Sequence, residues 1–290
     1  MKFKIAGIGE LLWDIFPSGK KMGGAPFNFA FHTFQAGCES YIISAVGNDP
    51  LGSELLDNIT HLGVDIHYVQ KNDYPTGTVI VHINHLGQPD FRITENVAWD
   101  HIRFVGDLQR LAPVMDAVCF GSLAQRDRDS EETIHAFISH LRSGCLKVFD
   151  INLRQNYYTP DILNRSLNLA DILKLNDNEL PVVADLFHLS GDINFQLKQL
   201  IQRFNITCIA YTRGSEGSIL MTADEISEMK APHMNVVDTV GAGDAFTAAL
   251  VNEWLNGMSL SDVHNAASNV AAFVCTKEGA TPDIPKYLFG

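Results

Sequence analysis

Short apolar segments alternate along the chain with longer amphipathic segments, and the two patterns predict different elements. Continuous apolar runs fit buried strands, whereas apolar residues at helical spacing fit helices that cover a sheet. The predicted strands are 3–9, 41–46, 66–69, 116–121, 146–151, 172–175 and 207–212, and the predicted helices are 52–62, 130–143, 161–169 and 193–204. The alternation predicts an α/β fold with a mostly parallel sheet covered on both faces, whose ligands bind at the carboxyl ends of the strands.

One segment interrupts this alternation. Thr78–Asn84 and Asp90–Glu95 have the pattern of two strands joined by a turn around Leu86–Pro89. Together with the apolar segment Leu11–Phe16 they predict a small separate sheet, which we call the lid. The predicted organisation is a single domain over residues 1–290, with the lid formed by about 10–17 and 75–98.

Composition narrows the class of partner. With 290 residues and 46% hydrophobic content the chain can bury a large core. Its net charge of −13 argues against nucleic acid or an anionic membrane as a partner and favours a small-molecule ligand. The amino terminus lacks the pattern of a signal peptide, and no stretch has the length and apolarity of a membrane span. Five scattered cysteines, without a C-x-x-C pair, are typical of reduced thiols, so we expect a cytoplasmic protein.

The segment Val237–Phe246 is a loop of small residues that continues into an apolar-periodic helix. Gly241 and Gly243 allow a sharp turn in which several N–H groups can point at one anion, and the helix N-terminus adds its positive dipole end. A carboxylate at Asp244 would repel a bound phosphate unless it had a proton to accept, which indicates a general base. The alternative is that Asp244 merely caps the helix. A further helix, about 260–276, completes the C-terminal layer.

A second glycine-rich turn, Gly23–Ala30, places Pro26 in a first helical turn and projects the Asn28 amide toward a ligand. The same residues also fit an ordinary tight turn. Gly7 and Gly9 resemble the opening of a dinucleotide fingerprint, but the third glycine is replaced by Leu12. A Rossmann-type oxidoreductase is therefore a minor alternative.

Polar residues follow three of the predicted strands. Asp150–Arg154 carries an acid, an amide and a guanidinium at alternating positions, which point to one side if the chain stays extended. Asn176–Glu179 offers oxygens suited to hydrated Mg²⁺. The glycines of Tyr211–Gly217 could admit a nucleotide. Each segment alone fits a polar loop, and their occurrence at successive strand ends favours a site.

Two signatures give the chain a family resemblance. Its G-G-x-x-x-N-x-A pattern at Gly23–Ala30 and its D-T-x-G-A-G-D pattern at Asp238–Asp244 resemble those of the ribokinase family, also called the PfkB carbohydrate kinase family. The second pattern is highly specific, and the likeness covers essentially the whole chain. It implies a three-layer ribokinase-like α/β fold with a β lid, and transfer of the ATP γ-phosphoryl group to a sugar hydroxyl.

The resemblance also implies roles for individual residues. Asp244 corresponds to the base, and the backbone of Gly241, Ala242, Gly243 and Asp244 to the anion hole. The positions implied to contact sugar or the transferred phosphate are Asp14, Gly23, Gly24, Asn28 and Arg154. Asn176 and Glu179 are implied to serve magnesium, and Thr212, Gly214 and Gly217 the nucleotide. Asp238 is implied to serve a monovalent cation. Glu179 would act on Mg²⁺ through water, and many members bind K⁺ at the position of Asp238.

Within the family, the spelling around Gly9–Asp14, Gly23–Pro26 and Asp150–Arg154 is most similar to fructokinases. D-Fructose is therefore the expected substrate, with ribose, nucleosides and 2-keto-3-deoxygluconate as alternatives within the family. A different class of answer is a sugar-binding protein that kept the fold and lost catalysis. The presence of Asp244 argues against it, because a binder has no need for a carboxylate beside a phosphate.

The lid also suggests a homodimer. Alternation places Val79, Val81 and Ile83 on one face of the first lid strand and Phe91 and Ile93 on one face of the second. A few isolated strands are marginal in water unless an apolar face is covered. A second copy of the same sheet could cover it, as the resemblance implies for many relatives. The alternative is that the hairpin folds down on its own domain.

Overall fold

The structure, a computed structural model, describes residues 2–83 and 89–289. Its strands are β1 (Lys4–Ile8), β2 (Leu12–Phe16), β3 (Gly19–Gly23), β4 (Glu39–Gly47), β5 (Val69–Asn72), β6 (Gly77–Ile83), β7 (Pro89–Ile93), β8 (Ala117–Gly121), β9 (Leu146–Asp150), β10 (Ile172–Asn176), β11 (Cys208–Thr212), β12 (Ser218–Met221) and β13 (Ile226–Met229). Its helices are α1 (Ala25–Gln35), α2 (Pro50–His61), α3 (Gly106–Leu111), α4 (Arg128–Ser139), α5 (Pro160–Leu169), α6 (Glu179–Phe187), α7 (Ile193–Phe204), α8 (Ala242–Leu255) and α9 (Leu260–Cys275). None of the helices in these two ranges is long and apolar enough to cross a membrane.

The central sheet has the strand order β13-β12-β11-β10-β9-β8-β1-β4-β5. The strands from β11 to β5 are parallel, and β12 and β13 run antiparallel to their neighbours. Helices α1, α8 and α9 pack on one face of this sheet, where Phe29 of α1 and Phe246 of α8 lie in the core. Helices α4 to α7 pack on the other face, against Phe120 and Phe149. Buried strands of continuous apolar character are what helices on both faces require. The three-layer α/β prediction is therefore confirmed.

Several elements differ from the sequence prediction. Strand β5 begins at Val69 rather than at residue 66, because the Asp65 carboxylate accepts the His67 N–H and holds a turn there. Helix α6 was not predicted from the sequence. Pro181 lies in its first turn, where a missing N–H costs nothing. Strand β3 was also missed, because its sequence Gly-Lys-Lys-Met-Gly has little apolar character.

The lid is a separate sheet of order β3-β2-β6-β7, so β3 extends it beyond the two predicted segments. Its register places Asp14 between Lys21 of β3 and Val79 of β6, all on one face. Val79 and Ile93 are each only 6% exposed and belong to the main core. That face is therefore covered by the chain's own domain, whereas Ile80 on the opposite face is 37% exposed. The predicted turn around residues 86–89 falls largely outside the described residues.

Candidate active site

The glycine loop ends at Gly241, which adopts a left-handed conformation (φ 77°) immediately before α8. A Cβ atom there would lie 2.6 Å from both the Cα and the carbonyl oxygen of Ala280, so the close packing requires glycine. The N–H of Ala242 donates to Thr239. Within the part of the chain that the structure describes, no group accepts the N–H of Gly243 or Asp244. Two donors at a helix N-terminus are thus available to an anion.

Asp244 lies in the first turn of α8, and its carboxylate accepts a hydrogen bond of 2.8 Å from the Asn28 amide. The two residues are 216 positions apart in sequence. Asn28 lies in the first turn of α1, whose N-cap is Gly24; a Cβ at Gly24 would overlap the Glu10 carbonyl. Desolvation, reinforced by the charge of Asp150, raises the pKa of Asp244 to about 6. Such a carboxylate is ionised at neutral pH and still basic enough to accept a proton.

The lid contributes Asp14 from β2, the second carboxyl group of the site. Gly23 lies beside it on β3, and a Cβ at Gly23 would overlap the Asp14 carboxylate, so glycine makes room for that side chain. Desolvation raises the pKa of Asp14 to about 6, and the charge of Arg154 opposes this rise. Arg154 is exposed and acts in the same sense on Glu10 and Asp244. The guanidinium therefore stands at the mouth of a carboxylate-rich site.

The segment after β9 does not stay extended, which corrects the sequence prediction. Asn152 adopts a left-handed conformation (φ 47°), so the side chains of Asp150, Asn152 and Arg154 do not point to one side. Asp150 is buried and pairs with Lys174, and Asn152 is buried and donates to Glu10 at 3.3 Å. A short polar side chain is among the few that tolerate this backbone region, and an alternation argument could not detect it.

The structure adds two charged groups that sequence reasoning missed, Glu10 and Lys174. Glu10 is buried, and within the described chain its Oε2 has no hydrogen-bond partner. Desolvation raises the pKa of Glu10 to about 7. It lines a small cavity of about 10 Å³ together with Asp150, Asn152 and Asp244. The available signal was a charged residue in or directly after an apolar run: Glu10 follows Ile-Ala-Gly-Ile-Gly, and Lys174 lies in the middle of Ile-Leu-Lys-Leu-Asn.

Asn176 and Glu179 stabilise each other at the start of α6. The Asn176 side chain accepts the N–H of Glu179 at 3.0 Å, and the Glu179 carboxylate accepts the N–H of Asn176 at 2.8 Å, a reciprocal arrangement like a capping box. The other oxygen of Glu179 accepts the Leu153 N–H at 3.0 Å. Burial, the largest effect, raises the pKa of Glu179 although Lys174 opposes it. Both Glu179 oxygens are thus occupied by backbone N–H groups.

The predicted nucleotide-contacting residues lie at the end of the neighbouring strand β11 and in the turn that follows it. Thr212 ends β11 opposite Asn176 of β10, and its carbonyl accepts the Asp177 N–H at 3.0 Å. Gly214 has a positive φ and open space where a Cβ would lie. Gly217 also has a positive φ, but a Cβ there would overlap the Met229 carbonyl, so this glycine allows β12 and β13 to pack closely. The two glycines therefore serve different structural needs.

Asp238 joins two loops. Its Oδ1 accepts the Val240 N–H at 3.1 Å and its Oδ2 accepts the Gly279 N–H at 3.0 Å, while Lys21 Nζ lies 4.0 Å away. The Gly279 segment continues into Ala280, the residue that packs on Gly241. Asp238 thereby fixes the loop that precedes α8.

Comparisons with known proteins identify related carbohydrate kinases. The sequence profile of the pfkB family carbohydrate kinases matches residues 17–287. The chain is 28% identical to a fructokinase of Salmonella typhimurium, over 98% of the chain and 97% of the relative. It is 27% identical to an aminoimidazole riboside kinase of the same species, over 97% and 92%.

A solved structure extends the comparison to the fold. The crystal structure of an uncharacterised sugar kinase from Pyrococcus horikoshii superposes with a TM-score of 0.83 at 29% identity, covering 96% of this chain and 93% of that one. The family match spans nearly the entire sequence, including most of the lid and the loop that carries Asp244. The chain belongs to the pfkB family of carbohydrate kinases and is an ATP-dependent sugar kinase.

Proposed function

We propose that the protein phosphorylates D-fructose with ATP, and that Asp244 is the general base. The observation that carries this proposal is the position of the Asp244 carboxylate at the N-terminus of α8, beside the available N–H groups of Gly243 and Asp244. A base and an anion site on one turn bring a sugar hydroxyl and a phosphoryl group together.

The reaction needs one proton acceptor and one site for developing negative charge. The sugar hydroxyl oxygen bonds to the γ-phosphorus of ATP, the bond to ADP breaks, and Asp244 accepts the hydroxyl proton. Asn28 holds that carboxylate in place through the 2.8 Å hydrogen bond. The free N–H groups at the start of α8 stabilise the charge on the transferring group. Asp14, Gly23, Gly24 and Arg154 form the side of the site assigned to the sugar.

Magnesium would neutralise charge on the phosphates when bound. We assign Glu179 a role through water. Each of its carboxylate oxygens accepts one backbone N–H, which fixes the side chain and leaves a lone pair for a further contact. Asn176 is engaged in the same way. Thr212, Gly214 and Gly217 would lie along the nucleotide, next to Asn176 at the sheet edge. We assign K⁺ to the surroundings of Asp238, whose position between two loops would let a cation affect the anion site without contacting the sugar.

The choice of fructose is supported by the fructokinase-like spelling around Asp14 and Gly24 and by the fructokinase among the relatives. The riboside kinase has nearly the same identity, so ribosides are the second candidate. The experiment is an ADP-release assay with fructose, ribose, adenosine, glucose and 2-keto-3-deoxygluconate. Fructose should give the highest kcat/KM. A higher value for a riboside would replace fructose, and no ADP release with any of the five would support the non-catalytic alternative.

We also propose a cytoplasmic location and a homodimer through the lid. Cys38, Cys119, Cys145, Cys208 and Cys275 are free thiols, which suits a reducing compartment. The dimer was predicted from an uncovered apolar face of the lid. Val79 and Ile93 do not contribute to such a face, because the chain's own core covers them. The outer lid face with its exposed Ile80 is the remaining contact surface in the described residues.

A further inference from the structure

A buried ion pair lies directly beneath the anion loop. Lys174 Nζ is 3.1 Å from a carboxylate oxygen of Asp150, and the two side chains are only 9% and 7% exposed. The pair joins β10 to β9 below the start of α8. A Cβ atom at Gly243 would lie 3.0 Å from Lys174 Nζ, so the ammonium reaches the peptide whose N–H is offered to the phosphate.

This ammonium is surrounded by carboxylates. Burial by itself would lower the pKa of Lys174, but the charges of Asp150, Glu179 and Asp244 together raise it above its usual range. Lys174 therefore stays positively charged in the interior. Glu179 is already stabilised by two backbone N–H groups, which leaves Asp150 and Asp244 as the carboxylates that depend most on the ammonium.

Charged and neutral groups face Asp244 from the elements packed around it. Asp150 on β9 and Glu10 after β1 are acidic, whereas Lys174 on β10 and the exposed Arg154 are basic. Asn28 on α1 donates a hydrogen bond, and the buried Cys119 on β8 is neutral, because burial raises the pKa of its thiol. Of these two basic groups, the Lys174 ammonium is the one that is buried among the carboxylates.

We propose that Lys174, held by Asp150, is a positioning residue for phosphoryl transfer: it supports the Gly243 turn of the anion loop from below and holds a positive charge beneath the start of α8. The proposal rests on the assignment of Asp244 as the base. Lys174 acts through the loop and the carboxylate and contacts neither the sugar nor the nucleotide. A lysine that only stabilised the fold would lower stability when replaced, but a variant that still folds would keep the wild-type kcat.

The test measures the titration of Asp244 itself. Protein labelled with ¹³C at the aspartate carboxyl carbons is titrated by NMR, and the Asp244 signal is identified by its loss in Asp244→Asn. Lys174→Met should move the Asp244 midpoint up by about one pH unit, and Asp150→Asn should move it down by a similar amount. Lys147→Met is the matched control. Its half-exposed pair with Asp171 lies near the amino end of β9, so the midpoint should not move.

The double variant Lys174→Met/Asp150→Asn guards against loss of folding. Removing one partner of a buried pair leaves an uncompensated charge, whereas removing both is often tolerated. The double variant should fold and titrate between the two single variants. Its kcat with fructose should still be roughly 10²-fold below wild type, because the Gly243 turn has lost its support although Asp244 remains ionised, and the sugar KM should change little.

The outcomes separate this inference from the proposed function. An Asp244 midpoint that is unchanged in Lys174→Met, or a double variant with wild-type kcat, would overturn the positioning role. If wild-type protein phosphorylates none of the sugars, the proposed function fails, but the NMR titration still decides whether Lys174 controls the charge of Asp244.

Discussion

Asp244→Asn separates the chemical role of this side chain from its effect on folding. Asparagine keeps an oxygen that can accept the Asn28 hydrogen bond, so the geometry at the start of α8 should persist. It cannot accept the hydroxyl proton. We expect kcat to fall roughly 10²- to 10⁴-fold, the range for loss of a positioned general base, while ATP binding is retained.

The same substitution should stabilise the fold at neutral pH. The pKa of Asp244 is raised from 3.8 to about 6, mainly by desolvation and then by Asp150, so ionisation is unfavourable in the folded state. A rise of about two units corresponds to about 3 kcal/mol as an upper figure. Because the pKa of Asp244 is higher in the folded than in the unfolded protein, the free energy of unfolding of the wild-type protein falls by up to this amount as the pH rises from about 4 to 6. The advantage of the Asn variant should therefore be largest above pH 6 and absent below pH 4.

The assays are steady-state kinetics and urea unfolding at several pH values. Asp262→Asn is the matched control, since Asp262 is also an acid in the first turn of a helix, α9, but lies on the surface away from the site. It should leave kcat unchanged and should not stabilise the protein at neutral pH. Wild-type turnover in Asp244→Asn would refute the base assignment. A variant no more stable than wild type at neutral pH would refute the reasoning from desolvation.

Three further predictions address the substrate, the cation and the assembly. Asp14→Ala should raise the sugar KM at least roughly 10-fold and leave the ATP KM nearly unchanged, since a lost charged hydrogen bond costs about 1.5–3 kcal/mol; equal losses for both substrates would make Asp14 structural. Activity should rise when K⁺ is added to K⁺-free buffer and Asp238→Asn should weaken that response, whereas identical rates in both buffers would remove the cation. Light scattering should give a dimer mass that becomes monomeric in Ile80→Asp; a monomer at high concentration, or a dimer indifferent to the change, would exclude the lid interface.

The sequence predicted those parts of the structure that depend on local pattern. Continuous apolar runs identify strands buried between two helical layers, and all of the predicted central strands exist, although β5 is shifted. The glycines near Gly24 and Gly241 mark places where the backbone approaches another segment closely, so their composition is informative by itself. Motif reasoning also paired Asn28 with Asp244 in one site across 216 positions, because both signatures carry the same family resemblance.

The remainder depends on tertiary contacts that no local pattern encodes. Lys174 in an apolar strand has meaning only when Asp150 lies on the neighbouring strand. The turn at Asn152 depends on one backbone angle. The segment Asn176–Glu179 carries oxygens suited to Mg²⁺ and also the residue types of a helix cap. The observed hydrogen bonds show that Asn176 and Glu179 both serve the helix cap.

The site has more acidic than basic side chains before any phosphate enters, so part of the negative charge around Asp244 has to be neutralised. Glu10, Asp150 and Asp244 line one small cavity, and the pKa of Glu10 is raised to about 7, so this group is partly protonated at neutral pH. A protonated Glu10 removes one charge from the neighbourhood of Asp244, while Lys174 compensates for Asp150. The remaining charge on Asp244 can then coexist with an anion held by the N–H groups of α8, because dipoles fixed in a water-poor site interact more strongly than they would in bulk solvent. Proton uptake by Glu10 and the positive charge of Lys174 therefore both reduce the net negative charge around Asp244.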